Sequence, residues 1–434
     1  MPETSTLFTK RKINPYLLFF LLCFFLYLPS VFFRSPLPPD EVRFLSIAKN
    51  IHNWKDFFFL KYLGSFYYDK PPLYFWFLKL FSLFNLTNSL FLPVLFNCFF
   101  SWGILSLNYF FFKKEGQPQI GLISSLILAT TSIFYAMNVI VRMDILFLFF
   151  TLLSIYSFLF YLSSEKKFYL WIASLASFLA VFTKGALGII FPFFLSISLS
   201  VILKSKEILK KSFLTYLFSF FLVLFWLISF SQIDKDYFRE MFYKQTLLRG
   251  IGETGHSRNF FYYFLYLIPL FLPYTILSLT CFSLKLESVW EKLFLIWFIG
   301  GVFILSLISS KLSIYLLILS PSLSALLAKS LLESNKERLK KVLFNITGLF
   351  FVILWFSAYF YFKFKKEFIP PVSFILLLVF LVVIFLMVRK KSWACFKVLF
   401  ISWILVIYLS TFFFLPLVDD YFKAEKEVNQ EFLR

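Results

Sequence analysis

Long apolar segments with almost no charged residues recur from one end of this 434-residue chain to the other. Hydrophobic residues make up 60% of the sequence and charged residues only 15%, and phenylalanine alone occurs 69 times. A soluble domain has no use for so much apolar surface, whereas a helix that crosses a bilayer needs about 20 consecutive apolar residues. The sequence therefore predicts an all-α polytopic membrane protein.

The length of the apolar segments predicts about 13 transmembrane helices. They form one membrane domain, residues 1–417, followed by a short tail, 418–434. No internal repeat and no inverted halves are visible in the sequence. The predicted spans are 14–33, 89–112, 117–137, 143–162, 168–183, 185–203, 212–231, 260–282, 290–309, 312–328, 342–362, 372–388 and 393–417.

A long polar interruption, residues 34–88, separates the first two spans and holds two amphipathic stretches. After Pro39, apolar residues at three- and four-residue steps predict a juxtamembrane helix that begins at Asp40. The apolar run after Pro72 is about 12 residues long, too short to cross a bilayer, and predicts a second juxtamembrane helix. Asp40 would lie in the first turn of its helix, where the helix dipole favours a carboxylate.

The basic residues in the connections predict the orientation of the chain. With the N-terminus inside, the inner connections hold 21 lysines and arginines and the short outer connections hold six. The loops 34–88 and 232–259 and the tail 418–434 are therefore predicted to lie outside. The net charge of +20 has the same origin and favours contact with anionic membrane lipids. Nucleic acid is excluded as a partner because the chain has no basic soluble domain.

The four cysteines, Cys23, Cys98, Cys281 and Cys395, lie inside apolar runs without paired spacing. Such cysteines are most simply packing residues, and they indicate no metal site and no redox compartment.

Several ionisable residues that topology alone does not explain fall on the predicted outer face. Charges at or inside a membrane boundary are costly and usually functional. A shared site on this face is the economical explanation. The residues are Asp40, Glu41, Asp69, Lys70, Arg142, Asp144, Lys184, His256, Arg258 and Lys311.

Each motif also has a structural interpretation. The acids of Asp40-Glu41 are common at the start of a helix, and Arg142–Asp144 could be a pair that ends one. A loop histidine such as His256 is usually only solvated, and one lysine at a membrane edge can extend to the surface. Two lysines, Lys184 and Lys311, on the face that holds the carboxylates favour an anion instead.

Together these motifs resemble the membrane GT-C glycosyltransferases of the aminoarabinose-transferase (lipid A) and dolichyl-phosphate-mannose protein mannosyltransferase type. The resemblance implies an outer-face cavity and transfer of a sugar, with inversion, from a polyprenyl-phosphate carrier to a lipid A, glycan or protein acceptor. It also implies an active site on the periplasmic or exterior side of the inner membrane. The motifs are PDEVRFLSIAKNI, YYDKPPLYFW, RMD, TKG, GHSRNFFYY and SKLSIYLLILSPSLSALLA, in that order.

The resemblance implies roles for individual residues. Asp40 and Asp144 match acidic positions of the family and, with the adjacent Glu41, are the predicted catalytic residues. The predicted ligands of the carrier phosphate are Lys70, Lys184, Arg258 and Lys311. Further candidates are Asp69, Arg43 and Arg142, of which Asp69 stands where the family usually has the longer glutamate.

A divalent metal ion is the one cofactor that these residue types suggest, with Asp40, Asp69 and His256 as its candidate ligands. Asp40 is equally a candidate base for an acceptor hydroxyl, and an ionised phosphate acceptor would need no base. The alternative function is a membrane transporter or flippase of a lipid-linked sugar. That alternative predicts internal repeats and charges at the membrane midplane.

Overall fold

The computed structural model describes residues 14–82, 90–243, 257–333, 337–364, 392–409, 411–412 and 415–416. Across these ranges the regular structure is almost entirely helical, and the sheet found there is a two-stranded hairpin. The all-α prediction is therefore confirmed for the described residues. The α-helices are α1 Pro15–Tyr27, α2 Asp40–Lys49, α3 Leu73–Ser82, α4 Phe91–Lys114, α5 Pro118–Thr130, α6 Ser132–Val139, α7 Asp144–Ser164, α8 Phe168–Lys184, α9 Leu187–Ile202, α10 Lys206–Ile233, α11 Lys235–Phe242, α12 Tyr262–Leu270, α13 Val289–Leu307, α14 Ser320–Leu332, α15 Glu337–Phe364 and α16 Ser392–Leu409.

Among the described residues, 6 helices are long and apolar enough to cross a membrane, or 7 if α5 and α6, bent by 60° at Thr131, form one span. The protein is thus a multi-pass membrane protein, but the predicted count of about 13 spans is not confirmed. The predicted span 372–388 lies outside the described residues. The six helical stretches are Pro15–Phe32, Phe91–Lys114, Asp144–Ser164, Lys206–Ile233, Val289–Leu307 and Ser313–Leu332.

The predicted span 260–282 is not one continuous helix. Helix α12 ends at Leu270, and after Pro273 the chain continues as a 3-10 helix, Leu277–Ser283. Proline lacks the N–H that a helix interior needs and clashes with the preceding turn, so Pro269 and Pro273 account for this break.

Helix α7 lies at the centre of the described bundle, where it packs against α4, α8 and α9. Most of its residues are buried inside the protein, whereas α10 presents much of its apolar surface outward. A helix that is apolar on every face is expected in the middle of a membrane bundle. The free thiols Cys23, Cys98 and Cys395 are buried among these helices, as packing residues should be.

The two predicted juxtamembrane helices are present as α2 and α3, which pack against each other. Helix α2 buries Phe44, Ile47 and Ala48, which belong to the apolar pattern that predicts this helix. Between the two helices, strands Lys61–Tyr62 and Ser65–Phe66 form an antiparallel hairpin. Leu63 and Gly64 both have positive φ, as a tight hairpin turn requires.

Residues 52–68 are fixed by polar and aromatic contacts. Asp56 accepts hydrogen bonds from the backbone N–H groups of His52 (3.0 Å) and Asn53 (3.2 Å) and pairs with the Lys61 ammonium at 3.2 Å. Burial raises the pKa of Asp56, but these partners outweigh it and hold the pKa below its ordinary value. Tyr237 of α11 donates to the Tyr67 carbonyl at 3.1 Å, which anchors the loop to the bundle.

Candidate functional site

Two predicted catalytic carboxylates occupy the same kind of position, because each is the first residue of a helix. Asp40 begins α2 and Asp144 begins α7. The positive end of the helix dipole stabilises a negative charge at such a position. The fold brings the two helix starts together although 104 residues separate them in sequence.

A continuous chain of ion pairs links these carboxylates. The guanidinium group of Arg142 contacts Asp40 and also donates from Nε to Asp144 Oδ2 at 3.2 Å. The second oxygen of Asp40 pairs with Arg43, and the second oxygen of Asp144 pairs with Lys184. Three cations therefore meet two carboxylates, and the excess positive charge suits an anionic ligand.

Lys184 is the last residue of α8, where the negative end of the helix dipole favours a cation. Gly185 ends the helix with a φ of 113°, which side-chain-bearing residues rarely adopt. A Cβ on Gly188 would lie 2.5 Å from the Val181 nitrogen, so this turn also needs glycine there. The TKG motif thus places Lys184 at a sharp turn. Its ammonium lies 4.7 Å from the ring centroid of Tyr315, a cation–π contact.

The two carboxylates differ in accessibility. The side chain of Asp40 is 27% exposed, whereas that of Asp144 is 1% exposed. A ligand can therefore reach Asp40 directly but reaches Asp144 only through its partners. The cavity beside Asp144 and Lys184, which Tyr315 also lines, is about 10 Å³ in volume. This is roughly the space of a single water molecule, so this cavity is too small for a sugar as it stands.

Glu41, predicted as catalytic, lies next to Asp40 but has a different environment. Its carboxylate is buried and pairs with the Arg34 guanidinium, at 2.5 Å from Nη1 and 2.8 Å from Nη2. It also accepts from the backbone N–H groups of Leu37 (2.6 Å) and Val141 (2.5 Å). These four contacts use all of its acceptor sites. The geometry therefore favours a structural role for Glu41 over the catalytic role suggested by the sequence.

Asp69 and Lys70 lie half-buried in the turn before α3, the helix that packs against α2. Arg258 and Lys311 are brought together by the backbone. The Arg258 N–H donates to the Ser309 carbonyl at 3.3 Å, and the Lys311 ammonium donates to the Arg258 carbonyl at 3.1 Å. Burial lowers the pKa of Lys311, and a bound anion nearby would raise it again.

The 3-10 helix Ser313–Leu319 follows Lys311 and carries Tyr315 to Lys184. The structure therefore connects the Lys311 segment to the ion-pair chain through Tyr315. His256 lies outside the described residues.

The predicted metal site finds no support in the geometry around Asp40. Both of its oxygens contact arginine guanidinium groups, from Arg43 and Arg142, and a cation would have to displace them. Within the described ranges, no group of three or more His, Cys, Asp or Glu residues gathers to hold a metal ion. As arranged, with an arginine at each oxygen, Asp40 does not fit a dication.

Some residues of the site were missed by sequence reasoning. Arg34, the partner of Glu41, is a charge at the end of an apolar span. It was visible as a charged residue that a membrane helix would not need. Tyr315 carried no such signal, because tyrosine is frequent throughout the chain.

Much of this chain is similar in sequence to known proteins. The family model described as dolichyl-phosphate-mannose-protein mannosyltransferase matches residues 69–229. An uncharacterized protein of Aquifex aeolicus (strain VF5) is 28% identical over 368 residues, which are 82% of this chain and 72% of that protein. An undecaprenyl phosphate-alpha-4-amino-4-deoxy-L-arabinose arabinosyl transferase of Wigglesworthia glossinidia brevipalpis is 26% identical over 349 residues, 77% of this chain. The match spans 61% of that transferase.

Solved structures share the fold. The crystal structure of ArnT from Cupriavidus metallidurans bound to undecaprenyl phosphate superposes with a TM-score of 0.76 at 15% identity, covering 92% of this chain and 77% of that one. The apo structure gives 0.73, with 91% and 76% covered. These similarities confirm the resemblance to the GT-C glycosyltransferases that the motifs predict. None of them supports the transporter alternative.

Proposed function

We propose, on the premise of this GT-C resemblance, that the chain is an integral-membrane glycosyltransferase. It moves a sugar from a polyprenyl-phosphate carrier to a lipid A, glycan or protein acceptor on the outer face of the inner membrane. The observation that carries the proposal is the chain of ion pairs Arg43–Asp40–Arg142–Asp144–Lys184. It places one accessible carboxylate, Asp40, among cationic side chains.

The reaction needs two kinds of stabilisation. The bond between the sugar's anomeric carbon and the carrier phosphate breaks, and the leaving oxygen gains negative charge. Cationic side chains that face this oxygen stabilise the transition state. We assign the stabilisation of this oxygen to Lys184, and Lys70, Arg258 and Lys311 contribute further positive charge. The new bond forms from the acceptor oxygen to the opposite face of the anomeric carbon, which gives inversion.

Where the acceptor is a hydroxyl group, Asp40 takes its proton, because Asp40 is the more exposed carboxylate of the pair. Its oxygens must first be released by Arg142 or Arg43. The donor phosphate competes for those guanidinium groups, so donor binding and exposure of the base are linked. Buried Asp144 orients Arg142 and Lys184 and does not itself meet the acceptor.

A direct test of the activity compares cells with and without the gene. Mass spectrometry of lipid A, surface glycans and envelope proteins should show a sugar that only the gene-bearing cells add. The purified protein should transfer that sugar from its polyprenyl-phosphate donor. If no sugar is gained or lost on any of these acceptors, the proposed function is wrong.

The change Lys184→Ala should weaken the binding of undecaprenyl phosphate about tenfold or more. A charge-assisted contact to phosphate is worth about 1.5–3 kcal/mol, and each 1.4 kcal/mol is a factor of ten. Titration of the purified protein with undecaprenyl phosphate measures the change. Lys206→Ala, at the exposed start of α10, is the matched control and should bind normally. Equal affinity in wild type and Lys184→Ala would remove Lys184 from the phosphate site.

The proposed orientation places the hairpin at residues 61–66 outside and the connection between α9 and α10 inside. The asymmetry of basic residues, 21 against six, is the reason. Single cysteines that replace Lys61 and Lys206 should differ in their labelling by a thiol reagent in intact cells. An impermeant thiol reagent should label the first and not the second, and the reverse pattern would invert the topology.

A further inference from the structure

The segment between α6 and α7, residues 140–143, carries Arg142 and leads directly into Asp144. Ile140 has extended backbone, with φ −92° and ψ 139°. Its N–H still donates to the Ala136 carbonyl at 3.1 Å, but its own carbonyl and the Val141 N–H lie outside the helical hydrogen-bond pattern. Val141 and Met143 are nevertheless buried. Buried peptide groups outside regular structure need side-chain partners, because leaving them unsatisfied is costly.

Side chains from three other parts of the chain supply those partners. Asn97 of α4 places Nδ2 within 3.0 Å of the Ile140 carbonyl, 3.1 Å of the Asn138 carbonyl and 3.4 Å of the Met137 carbonyl. From the same helix, the Ser101 hydroxyl donates to Asn138 Oδ1 at 2.5 Å.

The other partners come from the first loop. Glu41 of α2 accepts from the Val141 N–H at 2.5 Å, and Arg34, which follows α1, donates to the Val139 carbonyl. Arg34 and Glu41 also bind each other, so these contacts form one unit.

The position of this unit in the sequence matters. Glu41 bonds to Val141, and their immediate neighbours Asp40 and Arg142 form the ion pair of the site. The same backbone contact therefore sets both sides of the Asp40–Arg142 pair. A shift of residues 140–143 would move Arg142 and the start of α7 together, and with them the geometry around both carboxylates.

We infer that Arg34, Glu41, Asn97 and Ser101 form a segment clamp, a set of positioning residues that hold Arg142 and Asp144 in register with Asp40. The inference rests on the proposed function, because it assigns the clamp to the turnover of the same site. A misplacement of about 1 Å in reacting groups can cost about 100-fold in rate. A loosened clamp should therefore lower kcat much more than it changes donor binding.

The experiment compares two asparagines of α4. Asn97 and Asn108 are both fully buried, but Asn108 bonds instead to Ser124, Ser125 and Tyr156, away from the segment. Asn97→Leu and Asn108→Leu should lower the melting temperature alike. Only Asn97→Leu should lower kcat, by about 10- to 100-fold, and this fall should exceed any change in KM for the polyprenyl-phosphate donor.

If Asn97→Leu does not fold, Ser101→Ala replaces it, with Ser125→Ala on α5 as the control. Hydrogen exchange of residues 138–143, read by mass spectrometry, is the second measurement. It should rise in the Asn97 or Ser101 variant and not in the control. Equal kcat in the two members of a pair, or equal exchange, overturns the clamp. A wild-type protein that transfers no sugar overturns the proposed function instead, and the clamp as a device that fixes the segment is then judged by exchange alone.

Discussion

Turnover should fall by about 100-fold or more in the Asp40→Asn variant, while the protein still folds and inserts. Asparagine keeps the shape of the side chain and one acceptor for an arginine, but it removes the negative charge and the proton-accepting group. A lost general base typically costs about 10²- to 10⁴-fold. Sugar transfer by the purified variant, at equal folded concentration, measures the effect.

The matched control for this change is Asp56→Asn. Asp56 is an ion-paired aspartate of the same loop, but its partners are Lys61 and the backbone of residues 52 and 53. We expect Asp56→Asn to loosen the loop and to leave turnover within a few-fold of the wild-type value. Near wild-type turnover by correctly inserted Asp40→Asn would refute the role of Asp40 as base. The same assay on Asp144→Asn would then identify the carboxylate that matters.

Of the single variants compared for stability, Arg34→Met should show the largest loss. The Arg34 and Glu41 side chains are each about 1% exposed, and methionine leaves the Glu41 carboxylate buried without its countercharge. Breaking a buried ion pair by removing one partner costs about 3–5 kcal/mol. Thermal unfolding of the detergent-solubilised protein should show a clear drop in Tm.

Two further variants make this result interpretable. Lys61→Met removes one partner of the Asp56 pair, but Lys61 is 43% exposed, so we expect a loss of at most about 1 kcal/mol. The double variant Arg34→Met/Glu41→Leu removes both charges and should recover part of the lost stability. If the Arg34→Met variant is as stable as Lys61→Met, the Arg34–Glu41 ion pair does not stabilise the fold in the way that we expect of a buried pair.

The length and periodicity of the apolar segments predict the helical class of the described residues, although the count of about 13 spans is not confirmed. Apolar runs longer than a bilayer predict helices such as α4 and α7, and the three- and four-residue steps after Pro39 predict α2. Both signals are local, because a helix satisfies its own backbone and needs only apolar side chains to enter a membrane. The break in the predicted span 260–282 also has a local cause, because Pro269 and Pro273 interrupt its apolar run.

The candidate charges could also be identified from the sequence, because a charge at a membrane boundary is costly and usually functional. Asp40, Arg142, Asp144 and Lys184 were all selected in this way, and the fold brings these four into one ion-pair chain. Their order along that chain could not be predicted. It depends on which helix ends meet, and contacts between residues about a hundred positions apart leave no periodic signal.

Only the tertiary structure gives a physical reason to distinguish Asp40 from its neighbour Glu41. In sequence they are two adjacent acids at a helix start, and the family resemblance alone favours Asp40. On α2, however, successive residues point in different directions, so Asp40 remains 27% exposed while Glu41 is 1% exposed and bound to Arg34 and Val141. The sequence by itself determined a membrane bundle of helices and a set of boundary charges. The packing of α2 against residues 139–143 decided which of the two acids stays accessible and which is buried in an ion pair, because burial and hydrogen-bond partners are properties of the assembled fold.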